Sequence, residues 1–212
     1  MKIGIIGSGE VARTLGAGFL QHGHEVTMGT RDTAKLAEWG KLNPEAALGS
    51  FAEAAKFGDA VVLAVKGSVA AEALRGAGAA NFAGKPVFDA CNPIADEPPV
   101  KGVLKFFTGP NESLLERLQA EFPEGKFVKV FNSVGAAAMV NPKFDDGKPT
   151  MFICGNDDDA KGAATTILDE FGWDVEDCGA AEAARAIEPL CMLWCIPGFA
   201  KNDWMHAFKL LR

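Results

Sequence analysis

Near the start of the chain, Gly7-Ser8-Gly9-Glu10-Val11-Ala12 has the G-x-G-x-x-A spacing of a backbone cradle for a pyrophosphate. Gly7 permits a tight turn. Gly9 removes the Cβ that would hold a phosphate away from the backbone, and Ala12 is small enough for a helix to lie against the preceding strand. A helix that starts here offers free N–H groups and a partial positive charge to an anion. Gly7 and Gly9 therefore mark an expected dinucleotide site, with the pyrophosphate at the start of the helix.

The next chemistry-bearing cluster selects the dinucleotide. NAD sites usually place Asp or Glu at the end of the second strand, where a carboxylate binds the ribose 2′-hydroxyl. Here those positions hold Gly29 and Thr30, followed by Arg31. Thr30 can donate a hydrogen bond, Arg31 can pair with a 2′-phosphate and stack on adenine, and Lys35 lies one helical turn further on. Asp32 lies past the strand end and reads as the N-cap of a helix from Thr33. The pattern favours NADP over NAD; the competing reading takes Arg31 and Lys35 as solvated surface charges.

The elements that must position these residues follow from apolar runs and turn signals. Lys2–Ile6, Glu25–Met28 and Ala60–Val65 suit buried parallel strands, as do Pro86–Ala90 and Lys126–Phe131. A brief strand is expected at Leu48–Ser50, and two more at Thr150–Gly155 and Trp173–Asp177. Helices are expected between them, with Ser50 capping Phe51–Phe57 and an acidic first turn at Asp157-Asp158-Asp159. From Ala180 the chain reads as helical, broken at Pro197-Gly198, with Asn202 or Asp203 capping a final helix that carries Trp204, Phe208 and Leu211. The expected fold class is α/β: a doubly wound, mainly parallel Rossmann sheet over residues 1–178, with a helical C-terminal extension over 179–212. Ile94–Pro110 is too long for a plain connection and is a candidate lid or interface loop.

Composition limits the functions open to this fold. The 212 residues are 48% hydrophobic and carry a formal net charge of −7, which disfavours nucleic acid and anionic membranes as partners. No apolar run reaches the ~18–20 residues of a membrane span, and the first strand begins at once, so the cytoplasm is the expected location. Five widely spaced cysteines suit reduced thiols, and no metal site is expected. The absence of tyrosine excludes a Tyr-Lys dehydrogenase mechanism. Only Lys66, Ser133 and His206 could donate a proton, and each also reads as a surface or turn residue. His22 and His24 read as turn residues.

The combined motifs resemble the NADPH-dependent deazaflavin (F420) oxidoreductases and related NADP-dependent reductase domains. The resemblance rests on Gly7–Ala12, on Gly29-Thr30-Arg31-Asp32 with Lys35, and on Val130–Ala137. Phe152–Asp158 and Glu188-Pro189-Leu190 extend it over nearly the whole chain. It implies NADP held by Ser8–Val11 and by Thr30, Arg31 and Lys35, with Val65, Asn92 and Ala136 lining a nicotinamide pocket. It also implies F420 or a flavin as second substrate. The chain departs from that pattern at Lys66 and Gly135, where those enzymes tend to have proline, and at Cys91-Asn92-Pro93.

The expected activity is hydride transfer between NADPH and a flavin or deazaflavin, which needs two stacked rings and little from side chains. Asn132–Ala138 with Glu188, Met192 and Trp194 is the expected ring pocket. Two alternatives stay open. One is a small carbonyl, imine or β-hydroxyacid reductase, faintly echoed by Lys201 and Asn202. The other is an NADPH-sensing binding module with no catalysis. The apolar load of the C-terminal segment suggests a homodimer.

Overall fold

The computed structural model describes the whole chain, Met1–Arg212. Eight strands form one sheet: β1 (Lys2–Ile6), β2 (Glu25–Gly29), β3 (Ala47–Gly49), β4 (Ala60–Leu63), β5 (Pro86–Asp89), β6 (Lys126–Lys129), β7 (Thr150–Gly155) and β8 (Asp174–Asp177). Their order is β3-β2-β1-β4-β5-β6-β7-β8. The first six are parallel, with Ile5 opposite both Met28 and Val62. The seventh reverses, placing Cys154 opposite Lys129, and the eighth runs parallel to it. Strand order changes direction between β1 and β4. A crevice at such a switch point, at the C-terminal strand ends, is where open α/β sheets take ligands.

Six helices lie between strands and a seventh follows the last: α1 (Glu10–Gln21), α2 (Ala37–Leu42), α3 (Phe51–Phe57), α4 (Ala70–Ala77), α5 (Leu114–Glu121), α6 (Asp158–Glu170) and α7 (Ala184–Lys201). Successive strand residues face opposite sides, so the sheet has two cores. Ile3, Ile5 and Val62 pack with Leu15 and Phe19 of α1 on one side. Ile6, Val61 and Leu63 pack with Leu74 of α4 and Leu115 and Leu118 of α5 on the other. No helix is long and apolar enough to cross a membrane.

The helix starts follow their local chemistry. Ser50 and Glu53 form a reciprocal capping box at α3. Asp32 accepts from the Ala34 N–H, closing a 3₁₀ turn over Thr33–Leu36 that precedes α2. Asp157 accepts from the Ala160 N–H at α6.

The C-terminal segment departs from expectation. α7 runs unbroken through Pro189 and Pro197 and ends at Asn202, which is left-handed at φ 55°. The residues beyond form no helix. The reason is at Gly198, where the Trp204 ring occupies the space a Cβ would take. That contact requires the chain to reverse after Asn202, and a continuing helix could not make it. Trp204 then lies 5.7 Å from Trp194 and 5.2 Å from Phe199, centroid to centroid. The tail reaches the start of β7, where the Thr150 N–H donates to Phe208 O at 2.8 Å.

Candidate functional site

The turn after β1 is built from two glycines with different requirements. Gly7 takes φ 145°, and a Cβ there would meet the Ala64 carbonyl. Its N–H donates to Gly29 O at 3.0 Å, which ties the turn to the end of β2. Gly9 has an ordinary φ of −76°. No protein atom lies within 4 Å of the position its Cβ would take. The chain therefore leaves room at Gly9 that its own packing does not use. No side chain caps α1 at Gly9, so its first N–H groups stay available.

A trough of about 560 Å³ opens on this turn, walled also by Thr30, Arg31 and Lys35 beyond β2 and by Val65 and Lys66 after β4. Thr30 is buried, and its Oγ1 accepts from the Asp32 N–H at 3.2 Å. The Asp32 carboxylate is engaged by its own turn, so no carboxylate guards the strand end against a 2′-phosphate. Arg31 reaches Glu72 at 3.4 Å, with both side chains mostly in solvent. Arg31, Lys35 and Lys66 line the trough with one carboxylate, Glu10, while Arg31 and Lys66 have exposed partners outside it in Glu72 and Asp96. Open space at Gly9, an uncapped helix start and surplus positive charge fit a dinucleotide with an added phosphate.

A second cavity of about 510 Å³ adjoins the trough and shares Val65, Lys66 and Ala90 with it. Cys91 and Asn92 after β5 form one wall, and Ile94–Glu97 forms the other. The segment from Pro93 to Phe107 folds back on itself as a two-legged arm. The Phe107 N–H donates to Pro93 O at 2.9 Å and the Ala95 N–H to Lys105 O at 2.8 Å. Val100 and Val103 exchange two bonds of 3.0 Å near the tip. Of the residues expected at the nicotinamide, Val65 lines both cavities and Asn92 the second. Ala136 lines neither and sits in a 3₁₀ turn (Ala136–Ala138) beside α1.

The family model described as "NADP oxidoreductase coenzyme F420-dependent" matches residues 2–93. A crystal structure described as a candidate F420-dependent NADP-reductase from Arthrobacter sp. FB24 superposes with a TM-score of 0.94 at 35% identity, covering both chains completely. The chain belongs to the F420-dependent NADP oxidoreductase family. It is an NADP-dependent oxidoreductase. The metalloreductase STEAP3 of Rattus norvegicus is 30% identical over 201 residues, which are 92% of this chain and 38% of that protein. This chain thus spans well under half of that relative. An imine reductase of Streptomyces aurantiacus shares the fold, with a TM-score of 0.65 at 17% identity over 91% of this chain and 61% of its own.

The reductase also has a buried polar cluster that motif reading misses. Lys129, at the end of β6, contacts Asp89 Oδ2 at 2.6 Å, Cys91 O at 2.8 Å and Glu188 Oε1 at 2.9 Å. Burial pulls the Lys129 ammonium down, but the Asp89 and Glu188 carboxylates outweigh it and hold its pKa above the ordinary value. Glu188 also accepts from the Leu114 and Leu115 N–H groups at 2.9 and 3.0 Å, so a side chain of α7 caps α5. Alongside, Asn92 Nδ2 donates to Asn132 O at 2.9 Å, and Asn132 Nδ2 donates to Ile187 O at 3.0 Å. These bonds fix the rim after β5 to β6 and α7. Burial and the Asp89 carboxylate push the Cys91 thiol well up, which disfavours its thiolate.

This arrangement corrects the expected ring pocket. Glu188 is spent inside the cluster, and Trp194 packs on Gly135, where a Cβ would come within 2.6 Å of the indole. The departure from proline at Gly135 makes room for that ring. The open cavity beside the nucleotide trough lies instead against the arm, at Ile94–Glu97. Of the three possible proton donors, Ser133 is buried with its Oγ 4.0 Å from Met151 Sδ. His206 is stacked on Trp194 at 5.0 Å and bonded through Nε2 to Trp194 O at 2.9 Å. Lys66 alone borders both cavities. Lys201 and Asn202 line neither. His22 and His24 are turn residues held by Asn141 at 3.1 Å and Glu170 at 2.8 Å.

Proposed function

We propose that this reductase passes a hydride between NADPH in the trough and a flavin or deazaflavin ring in the adjoining cavity. The observation that carries the reading is the junction at Val65, Lys66 and Ala90, where two separate cavities share one wall. Two rings laid in them would meet there, as hydride transfer requires. No histidine or tyrosine lines either cavity, which suits a reaction between rings better than reduction of a carbonyl.

Within this reading the backbone of Ser8, Gly9, Glu10 and Val11 binds the pyrophosphate. Thr30, Arg31 and Lys35 bind the 2′-phosphate, and Val65 and Asn92 flank the nicotinamide. Ala136 lines neither cavity. NADPH supplies the hydride; the chain supplies position and a partly closed cleft.

The experiment is to titrate NADPH and NADH into the protein and then add flavins and deazaflavin, following the nicotinamide absorbance. Tight NADPH binding with no turnover on any flavin-type acceptor would reject the reading. We also propose a homodimer through the exposed Leu193, Phe199, Trp204 and Met205. Light scattering giving a monomer would reject it.

A further inference from the structure

A third cavity, of about 450 Å³, joins the trough through Arg31, Phe51, Val65 and Val69. Lys66 and Ala90, which lead from the trough to the cavity beside the arm, do not border it. The rest of its lining comes from α4, where Val69, Glu72, Ala73 and Gly76 stand at helical spacing and present one face. Glu72 is the only side chain in this cavity that can accept a hydrogen bond.

With the pyrophosphate at Gly9 and the 2′-phosphate at Thr30, Arg31 and Lys35, the adenine of the dinucleotide leaves the trough on the Arg31 side. The third cavity lies there, and Phe51, Val65 and Val69 give it apolar walls for the face of a ring. Its two arginines are held unequally. Arg75 reaches the Glu121 carboxylate through both Nε and Nη2, each at 2.7 Å. Arg31 makes one contact with Glu72, at 3.4 Å, which is long for a charge-assisted bond. A 2′-phosphate that draws Arg31 away leaves the Glu72 carboxylate unpaired beside a second anion. That arrangement costs affinity unless the ligand brings a donor of its own to Glu72. The 6-amino group of adenine is such a donor.

We propose that Glu72 reads the base of the dinucleotide: it accepts a hydrogen bond from the 6-amino group of adenine and disfavours a purine with a carbonyl at that position. This rests on the placement of the dinucleotide in the trough and extends it to the base. A 6-oxo group sets one acceptor against another. The donor that could compensate, Arg75, would first have to break its two short contacts with Glu121. Glu72 is thus a specificity-determining residue that acts in binding and takes no part in the chemistry.

The test is a titration of the protein with NADPH and with its hypoxanthine analogue, which carries a 6-oxo group in place of the amine, followed by nicotinamide fluorescence. The two nucleotides share every phosphate, so any change in the pairing of Arg31 cancels in the ratio of their dissociation constants. Wild-type protein should bind NADPH roughly tenfold more tightly than the analogue. Glu72→Gln presents a side chain that both accepts and donates, and should bring the two to within about twofold, chiefly by tightening the analogue. Equal binding of the two by wild-type protein overturns the inference and leaves the dinucleotide in the trough. So does a Glu72→Gln variant in which both constants shift together, which would mean that Glu72 only holds Arg31. If NADPH does not bind at all, the dinucleotide site itself falls, and this inference with it.

Discussion

Lys129 Nζ lies 2.6 Å from Asp89 Oδ2, and neither side chain reaches solvent. With Glu188 the pair joins β5, β6, α5 and α7 beneath the rim of the cavity beside the arm. Lys129→Met leaves two carboxylates buried without their cation and should cost about 3–5 kcal/mol of stability, measured by urea denaturation. The raised pKa fixes the sign of any pH effect. The stabilisation is complete below the unfolded lysine value of about 10.4 and is lost only as pH rises through the folded one. A wild-type stability profile flat through neutral pH is expected from this group. An unchanged urea midpoint in the variant would show that the cluster is not coupled to folding.

Gly7 and Gly9 should separate folding from binding. Gly7→Ala places a Cβ against the Ala64 carbonyl at a positive φ and should lose more than ~1 kcal/mol of stability. Gly9→Ala meets no protein atom and should change stability by less than about 0.5 kcal/mol. Its NADPH dissociation constant should nonetheless rise about tenfold, because the methyl occupies the space meant for pyrophosphate. Calorimetry on both variants, with and without nucleotide, checks the pair. A Gly9→Ala protein that binds NADPH normally would move the pyrophosphate elsewhere.

Arg31 carries the expected discrimination between the two nicotinamide cofactors. Its exposed pair with Glu72 at 3.4 Å is weak, worth about 0–1 kcal/mol, and yields readily to a phosphate. Arg31→Ala should weaken NADPH binding by roughly 1.5–3 kcal/mol and leave NADH binding unchanged. Equal losses for both cofactors in a binding titration would reject a 2′-phosphate role.

Glu116 should contribute to the acid limb of stability. Hydrogen bonds from Arg185 hold its carboxyl below the ordinary value of 4.5. Stability from this pair is present above that value and lost as pH falls below it. Glu116→Gln should flatten the fall in urea midpoint on acidification, compared with wild type. A parallel pair of curves would assign acid sensitivity to other carboxylates.

Most of the Rossmann half was legible in the sequence because each element carries its own local signal. Ala60–Leu63 is apolar on both faces as a central strand must be, and Ser50 and Asp32 cap where they stand. The C-terminal region was not legible, because its structure is set by contacts distant in sequence. Nothing local to Pro197 or Asn202 announces that Trp204 must fold back over Gly198. Glu188 likewise reads as an ordinary helix residue until α5 is placed against it. Asp89 did leave a trace: it is the one charge at the end of an otherwise apolar strand, Pro86–Asp89, and a buried partner was its physical implication.

The reversal of β7 relative to β6 also determines where the molecule is receptive to anions. It points the start of α6 toward the edge opposite the trough, so the protein has two long helices whose positive ends face opposite poles. One end is bare. The other carries Asp157, Asp158 and Asp159, with Lys126 and Lys161 paired to that acidic group, and is already quenched from within. A small inorganic anion diffusing over the surface would find one of these two helix ends open, and it is the one beside Gly9.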